Sequence, residues 1–170
     1  MQKGQLPEAI DCFRHSLRID PGYVFARFNL ALALANTGRD DLARTELEEV
    51  LRRDPDGGEA RVQLGAILMR MGLPAQALPH LEIARRKFPH AGNVQFLCGL
   101  AMLDAGRGDD GRRVLAEIGR TDSQFADACV VLAELAAKEG ARERAVQLLE
   151  RALAAAPGHA GAAAMLRQLR

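Results

Sequence analysis

Cys12 and His15 have the residue types and the spacing of metal ligands. Because they lie three residues apart, a helix would place them one turn apart, where both could contact one ion. A structural zinc site needs four ligands, and His80, His90 and His159 lie far away along the chain. We therefore interpret the pair as part of a half-exposed helix face and predict no metal site.

The known catalytic motifs are missing from the sequence. It contains no nucleophile elbow, no G-x-x-x-x-G-K-[ST] phosphate loop and no His-Glu-x-x-His pair. An acidic cluster, Glu46, Glu48 and Glu49, is followed at once by Arg52 and Arg53, which is typical of a solvated helix face with charge pairs one turn apart. We predict that the chain is not an enzyme and needs no cofactor.

Composition narrows the class of protein further. The chain has 170 residues and a net charge of +1, so bulk electrostatics give no attraction to nucleic acid or to an anionic membrane. Its three cysteines are far apart, which favours a reducing compartment over a disulfide framework. No stretch has the length of a membrane-spanning helix or the apolar core of a signal peptide. We expect a cytoplasmic protein.

Glycine and proline recur with a period of 34 residues. The glycines are Gly4, Gly38, Gly72, Gly106 and Gly140. The prolines are Pro21, Pro55, Pro89 and Pro157, and Ser123 occupies the position that is skipped. Between them, apolar residues recur at intervals of three and four, which is helical spacing. Each glycine stands where a helix needs a left-handed C-terminal cap, and each proline stops the next helix.

The residues after the glycines predict new helix starts. Asp40 has the side chain of an N-cap, Pro74 suits a first helical turn, and Asp109 and Asp110 favour a helix N-terminus. Each period is therefore predicted to be a helix, a glycine turn, a second helix and a proline stop.

This pattern resembles the tetratricopeptide repeat family, whose members repeat a helix pair every 34 residues. The family's small, aromatic, small pattern is matched by Ala9, Phe13 and Ser16, and its Leu-Gly pair by Leu64 and Gly65. The strict period argues against the related RNA-binding pentatricopeptide repeats, which are one residue longer.

The resemblance implies an all-α fold, a right-handed superhelical solenoid of antiparallel helix pairs. We expect a single array over residues 1–170. It divides into a half repeat (1–21), four full repeats (22–55, 56–89, 90–123 and 124–157) and a closing helix (158–170).

The third repeat departs from the others. It carries Gly108, Gly111 and Gly119 in or beside its second helix, and it lacks its proline. Two interpretations stay open, a shortened helix that has drifted in sequence and a flexible seam before the fourth repeat. Because the column of Gly111 otherwise holds alanine, the seam interpretation predicts that Gly111→Ala stabilises the protein.

The resemblance also implies where a partner binds. In the family, the second, fifth, ninth and twelfth residues of each first helix line a concave groove. The larger apolar residues at these sites are Phe25, Phe28, Leu32, Val62, Met69, Phe96, Leu100, Leu103 and Val130. Apolar residues replace the Lys and Asn with which some relatives clamp a C-terminal carboxylate, so that clamp is absent.

The predicted function is a non-catalytic scaffold that binds a peptide or helix of a partner protein in an apolar groove. The alternative is a regulatory or targeting segment of a larger enzyme or assembly. RNA binding is disfavoured because the groove sites are poor in Arg and Lys. The chain begins part-way through a repeat, so we also expect either a longer array or self-association through residues 5–19.

Overall fold

The computed structural model describes residues 6–170, and all regular secondary structure in that range is α-helical. Residues 1–5, which include Gly4 of the 34-residue period and the start of the predicted half repeat, lie outside the described residues. Residues 6–170 form ten helices in chain order: α1 Leu6–Ile19, α2 Val24–Asn36, α3 Asp40–Arg53, α4 Gly58–Arg70, α5 Pro74–Lys87, α6 Gly92–Asp104, α7 Gly108–Ala116, α8 Phe125–Lys138, α9 Arg142–Ala155 and α10 Ala160–Leu169.

The helices fall into two compact units. An N-terminal unit ends at Lys87 and contains α1 to α5, and a C-terminal unit, Phe88–Arg170, contains α6 to α10. In the N-terminal unit α2 packs on α3 and α4 on α5, while α1 contacts α2. In the C-terminal unit α6 packs on α7, α8 on α9, and α10 on α9 and α8.

Four glycines with positive φ make the turns inside the helix pairs. They are Gly38, Gly72, Gly106 and Gly140, with φ of 74°, 73°, 82° and 78°. After the first, the amide of Arg39 donates to the Leu34 carbonyl at 3.0 Å and that of Gly38 to the Ala35 carbonyl at 3.0 Å, which is a Schellman cap. The predicted glycine caps are thus confirmed at these four positions.

The core of each pair forms where a leucine of the second helix meets a small residue of the first. In the N-terminal unit, a Cβ added at Gly65 would lie 2.5 Å from Cγ of Leu81. In the C-terminal unit, a Cβ at Gly99 would lie 2.7 Å from Cγ of Leu115. Both leucines are almost completely buried. Close helix contact therefore explains the small residues.

The predicted N-cap role of Asp40 is wrong. Asp40 is the first residue of α3 and makes no capping bond, and the N-cap position belongs to Arg39. The Asp40 carboxylate instead accepts hydrogen bonds from Nε and Nη2 of Arg70 on α4, at 2.6 and 2.5 Å. Arg70 holds the pKa of Asp40 below its ordinary value, mainly through these hydrogen bonds. The acidic residue joins two helices rather than closing the end of one.

The second helix of the third repeat is shortened. α7 has 9 residues, whereas α9 at the same place in the fourth repeat has 14. Residues 117–124 form turns before α8 begins. The shortened helix predicted for this repeat is confirmed, and a flexible seam there stays a prediction.

Candidate peptide-binding surface

Helix α2 carries the most exposed of the predicted groove residues. Phe25, Phe28 and Leu32 lie on one face, at positions i, i+3 and i+7. Phe25 is 64% exposed, and the other two side chains are half-buried. The ring of Tyr23 lies 6.0 Å from that of Phe25, centroid to centroid. A large apolar surface therefore faces solvent at the start of this helix.

Helix α4 adds two further predicted residues in the same unit. Val62 and Met69 lie two turns apart on one face, and α4 contacts α2. Val62 is 9% exposed and Met69 is half-buried. We call the face made by Phe25, Phe28, Leu32, Val62 and Met69 the α2–α4 strip.

The remaining predicted residues lie in the C-terminal unit. Phe96, Leu100 and Leu103 are on α6 and Val130 is on α8, and all four are half-buried. Phe96, Leu103 and Val130 pack against the apolar core of this unit. Leu103 also covers Gly111 of α7, since a Cβ at that glycine would lie 2.8 Å from Leu103 Cγ. These side chains support the core as well as the surface.

A repeated polar contact at the start of the first helices was not predicted from the sequence. Arg27 Nη2 donates to the Pro21 carbonyl at 3.0 Å, and Arg61 Nη2 donates to the Pro55 carbonyl at 2.6 Å. Gln95 Nε2 repeats the bond one period later, to the Pro89 carbonyl at 2.9 Å. Each contact satisfies a carbonyl of the turn that follows the preceding helix. The sequence signal for this contact was the recurrence of a long polar residue at positions 27, 61 and 95, one period apart.

Arg27 and Arg61 also reach the second helix of their own repeat. Arg27 Nη1 donates to Glu46 Oε2 at 2.6 Å, and Arg61 Nη1 lies 3.4 Å from Nδ1 of His80. Burial and the neighbouring Arg61 charge lower the pKa of His80. In both repeats a long polar side chain fills the space between the first helix and the second.

Glu48 and Glu49 of the acidic cluster on α3 form charge pairs along the helix surface, as predicted, whereas Glu46 pairs with Arg27 of α2. Arg44 Nε donates to Glu48 at 2.7 Å. Arg52 and Arg53 donate to Glu49 at 2.6 Å, and these hydrogen bonds lower the pKa of the Glu49 carboxyl to about 2. A carboxylate held ionised by two guanidinium groups is a poor proton donor or acceptor near neutral pH.

Among the residues that the structure describes, the Cys12–His15 pair has no third ligand. Cys12 is exposed, and His15 Nδ1 lies 3.0 Å from Nη2 of Arg18. Across residues 6–170 no group of three or more His, Cys, Asp or Glu side chains is placed to hold a metal ion. The pair belongs to the solvent-facing side of α1.

Family models for the tetratricopeptide repeat match the whole length of the chain. One matches residues 1–68 and 103–169, and a second matches residues 62–124. The chain belongs to the tetratricopeptide repeat family. The "TPR repeat-containing thioredoxin TTL4" of Arabidopsis thaliana is 29% identical over 131 residues, or 74% of this chain. The chain spans 19% of the length of that relative.

Solved structures of the same family share the fold. YrrB, described as a TPR protein with an unusual peptide-binding site, matches with a TM-score of 0.84 at 22% identity, covering 96% of this chain and 84% of YrrB. MamA from Desulfovibrio magneticus RS-1 matches with a TM-score of 0.85 at 20% identity, covering 94% and 90%. The predicted all-α solenoid fold is confirmed by these matches and by the helices of residues 6–170.

Membership of this family suggests a scaffold for protein–protein interaction. Among the described helices, none combines the length and apolar character that crossing a bilayer requires.

Proposed function

We propose that this array is a non-catalytic scaffold that binds an apolar peptide or amphipathic helix of a partner protein on its first helices. The exposure of Phe25 is the observation that carries the proposal, because 64% of a large aromatic side chain faces water on a family ligand-binding position. Aromatic side chains of this kind are the usual anchors of protein interfaces.

The surroundings of Phe25 support a binding role over a packing role. Phe28 and Leu32 extend the apolar face along α2, and the sites that carry the carboxylate clamp in some relatives are apolar here. Binding would therefore rest on burial of apolar area and would depend little on salt concentration.

Substitution of Phe25 by serine tests this proposal. Proteins captured by the array from cell extract are identified by mass spectrometry, and the affinity of the main partner is then measured for wild type, Phe25→Ser and Leu42→Ser. Leu42 is a matched control because it is 49% exposed and lies on α3, outside the α2–α4 strip. We expect Phe25→Ser to weaken binding about tenfold or more, with melting temperature unchanged. Equal affinities for all three proteins would refute the proposal.

A second candidate function is a regulatory or targeting segment of a larger protein. It is favoured by the Arabidopsis relative, in which the matching region is a small part of a protein named for its thioredoxin. The complete reading frame decides it, since a catalytic domain in the same frame would support this role. A frame encoding only further repeats would exclude it.

A further inference from the structure

A cavity of about 240 Å³ lies between α7, α8 and α9 of the C-terminal unit. Its floor is apolar and almost fully buried, and is formed mainly by Leu115, Ile118, Phe125 and Cys129. Burial raises the pKa of the Cys129 thiol, so the floor carries no charge at neutral pH. Its rim carries three arginines, Arg112, Arg144 and Arg151.

Two local features open this cavity. The first is the early end of α7 at Ala116, which removes the last turns that α9 has in the next repeat. The second is Cys129, which occupies the first-helix position held by Arg27 and Arg61 in earlier repeats. Those arginines reach Glu46 and His80, whereas the residue opposite Cys129 is Leu148. The short side chain of Cys129 therefore occupies the place of a long arginine side chain, next to the shortened helix α7.

Two of the three rim arginines, Arg144 and Arg151, are specific to the fourth repeat. The positions of Arg144 one, two and three periods earlier hold Asp110, Gln76 and Leu42, and those of Arg151 hold Glu117, Ile83 and Glu49. Arg151 lies over the ring of Phe125, with its guanidinium carbon 5.5 Å from the centroid.

The rim has an unbalanced positive charge. Within the described residues, neither Arg144 nor Arg151 forms a salt bridge. Arg112 is held by Glu139 at 2.5 Å and Asp109 at 3.3 Å, and its buried Nε has no hydrogen-bond partner there.

The cavity and the predicted groove positions lie on opposite faces of α8. Phe125, Ala128, Cys129 and Leu132 follow one helical stripe into the cavity. Val130, the groove residue of α8, projects from the other side at 100° per residue. A ligand in the cavity would therefore leave Val130 uncovered.

We propose that this cavity binds a segment of a partner protein, an acidic peptide that inserts one bulky apolar side chain between the rim arginines. An apolar cavity of about 150 Å³ holds a benzene molecule, so 240 Å³ suits one large side chain. A shallow depression lined by Arg120, Gln147, Glu150, Arg151 and Ala154 continues the cavity along α9. This extension favours a peptide backbone over a compact small molecule. The proposal does not depend on the α2–α4 strip.

A fluorescein-labelled peptide with one phenylalanine flanked by glutamates tests the proposal by fluorescence anisotropy. We expect the double variant R144Q/R151Q to weaken binding about tenfold or more, because hydrogen bonds between charged groups are lost. Its matched control is R14Q/R167Q, which removes two exposed arginines on α1 and α10. Replacing the phenylalanine of the peptide by alanine is also expected to weaken binding to wild type.

Amide chemical shifts of the wild-type protein give a readout that needs no variant. We expect the peptide to shift residues 112–132 and 144–151 while leaving 24–36 unchanged. Equal affinity of the two double variants, or shifts confined to 24–36, would overturn the proposal. Dodecanoate binding the same residues more tightly than the peptide would overturn the assignment of a peptide ligand.

Discussion

At the scale of single residues, Gly111 shows how closely two helices of the third repeat approach. A Cβ at this position would lie 2.8 Å from the carbonyl oxygen of Gly99 and 2.8 Å from Cγ of Leu103. The first contact is with backbone, which cannot move aside cheaply. We therefore expect Gly111→Ala to destabilise the protein, whereas the seam interpretation of the sequence predicted that it would stabilise it.

We predict that Gly111→Ala destabilises the protein by about 1–3 kcal/mol, the usual cost of overpacking a core. Gly108→Ala is the matched control in the same helix, because a Cβ there meets no atom within 4 Å. That variant should be neutral or slightly stabilising. Urea unfolding measures both, and a stabilised Gly111→Ala protein would show that α6 and α7 separate easily.

The Asp40–Arg70 pair predicts a pH effect on stability. The folded pKa of Asp40 lies below its ordinary 3.8, so its stabilising contribution is full above that value and is lost as the pH falls through the lower folded pKa. Asp40→Asn should cost up to about 1 kcal/mol at pH 6, as expected for a surface pair, and less at pH 2. Asp41→Asn is the control, and chemical unfolding at both pH values makes the measurement. An equal cost of Asp40→Asn at both pH values would contradict the assignment.

At the scale of helices, α7 is the short element of its unit. Only Val114, Leu115 and Gly111 of this helix are buried, whereas Ile118 anchors the turns that follow. We predict that amides in 107–121 exchange with solvent faster than those in 73–87, the same segment one repeat earlier. Hydrogen exchange followed by mass spectrometry tests this. Equal protection would show that packing of Leu115 and Ile118 holds the region as firmly as a full-length helix.

The side chain of His159 stabilises the start of the last helix, α10. The amide of Ala162 donates to His159 Nδ1 at 3.0 Å, so the side chain caps the start of α10, and Nε2 lies 2.9 Å from Asp127 on α8. His159→Ala should lower stability by about 0.5–2 kcal/mol. His159→Asn, which keeps a capping side chain, should cost less. Thermal unfolding compares the two, and identical losses would rule out the capping role.

The helix order was predictable because it depends on backbone properties that recur every 34 residues. Gly38 and its equivalents need positive φ, and Pro74 fits a first helical turn, so their types alone indicate their places. The Asp40 contact was not predictable because its partner, Arg70, lies 30 residues away. The cavity escaped prediction for a similar reason, since it arises from the absence of bulk at Cys129 combined with the early end of α7.

The groove residues illustrate the same limit. The 34-residue register places Phe28 and Val62 at equivalent positions, yet Phe28 is half-buried and Val62 is only 9% exposed. Register gives the position of a residue along a helix, whereas exposure depends on the neighbouring helices that surround it.

At the scale of the whole molecule, the incompletely buried apolar residues of α1 bear on association. Phe13 and Leu17 are half-buried, whereas the equivalents of Phe13 in later repeats are fully buried, and Ile19 is 75% exposed. We predict that the chain self-associates through this helix at high concentration, and that Phe13→Ser combined with Ile19→Ser reduces the association. Light scattering over a concentration series tests it, with Leu42→Ser as the control. A monomer at every concentration would contradict the prediction.

The position of a bound partner peptide tests the central proposal most directly. Amide chemical shifts are recorded for the R144Q/R151Q protein, which lacks two of the three rim arginines, while a peptide from the main captured partner is added. We predict shifts in α2 and α4, centred on Phe25, Phe28 and Val62, with α3 and α5 less affected. Shifts confined to α3 and α5, with the first helices unchanged, would contradict it.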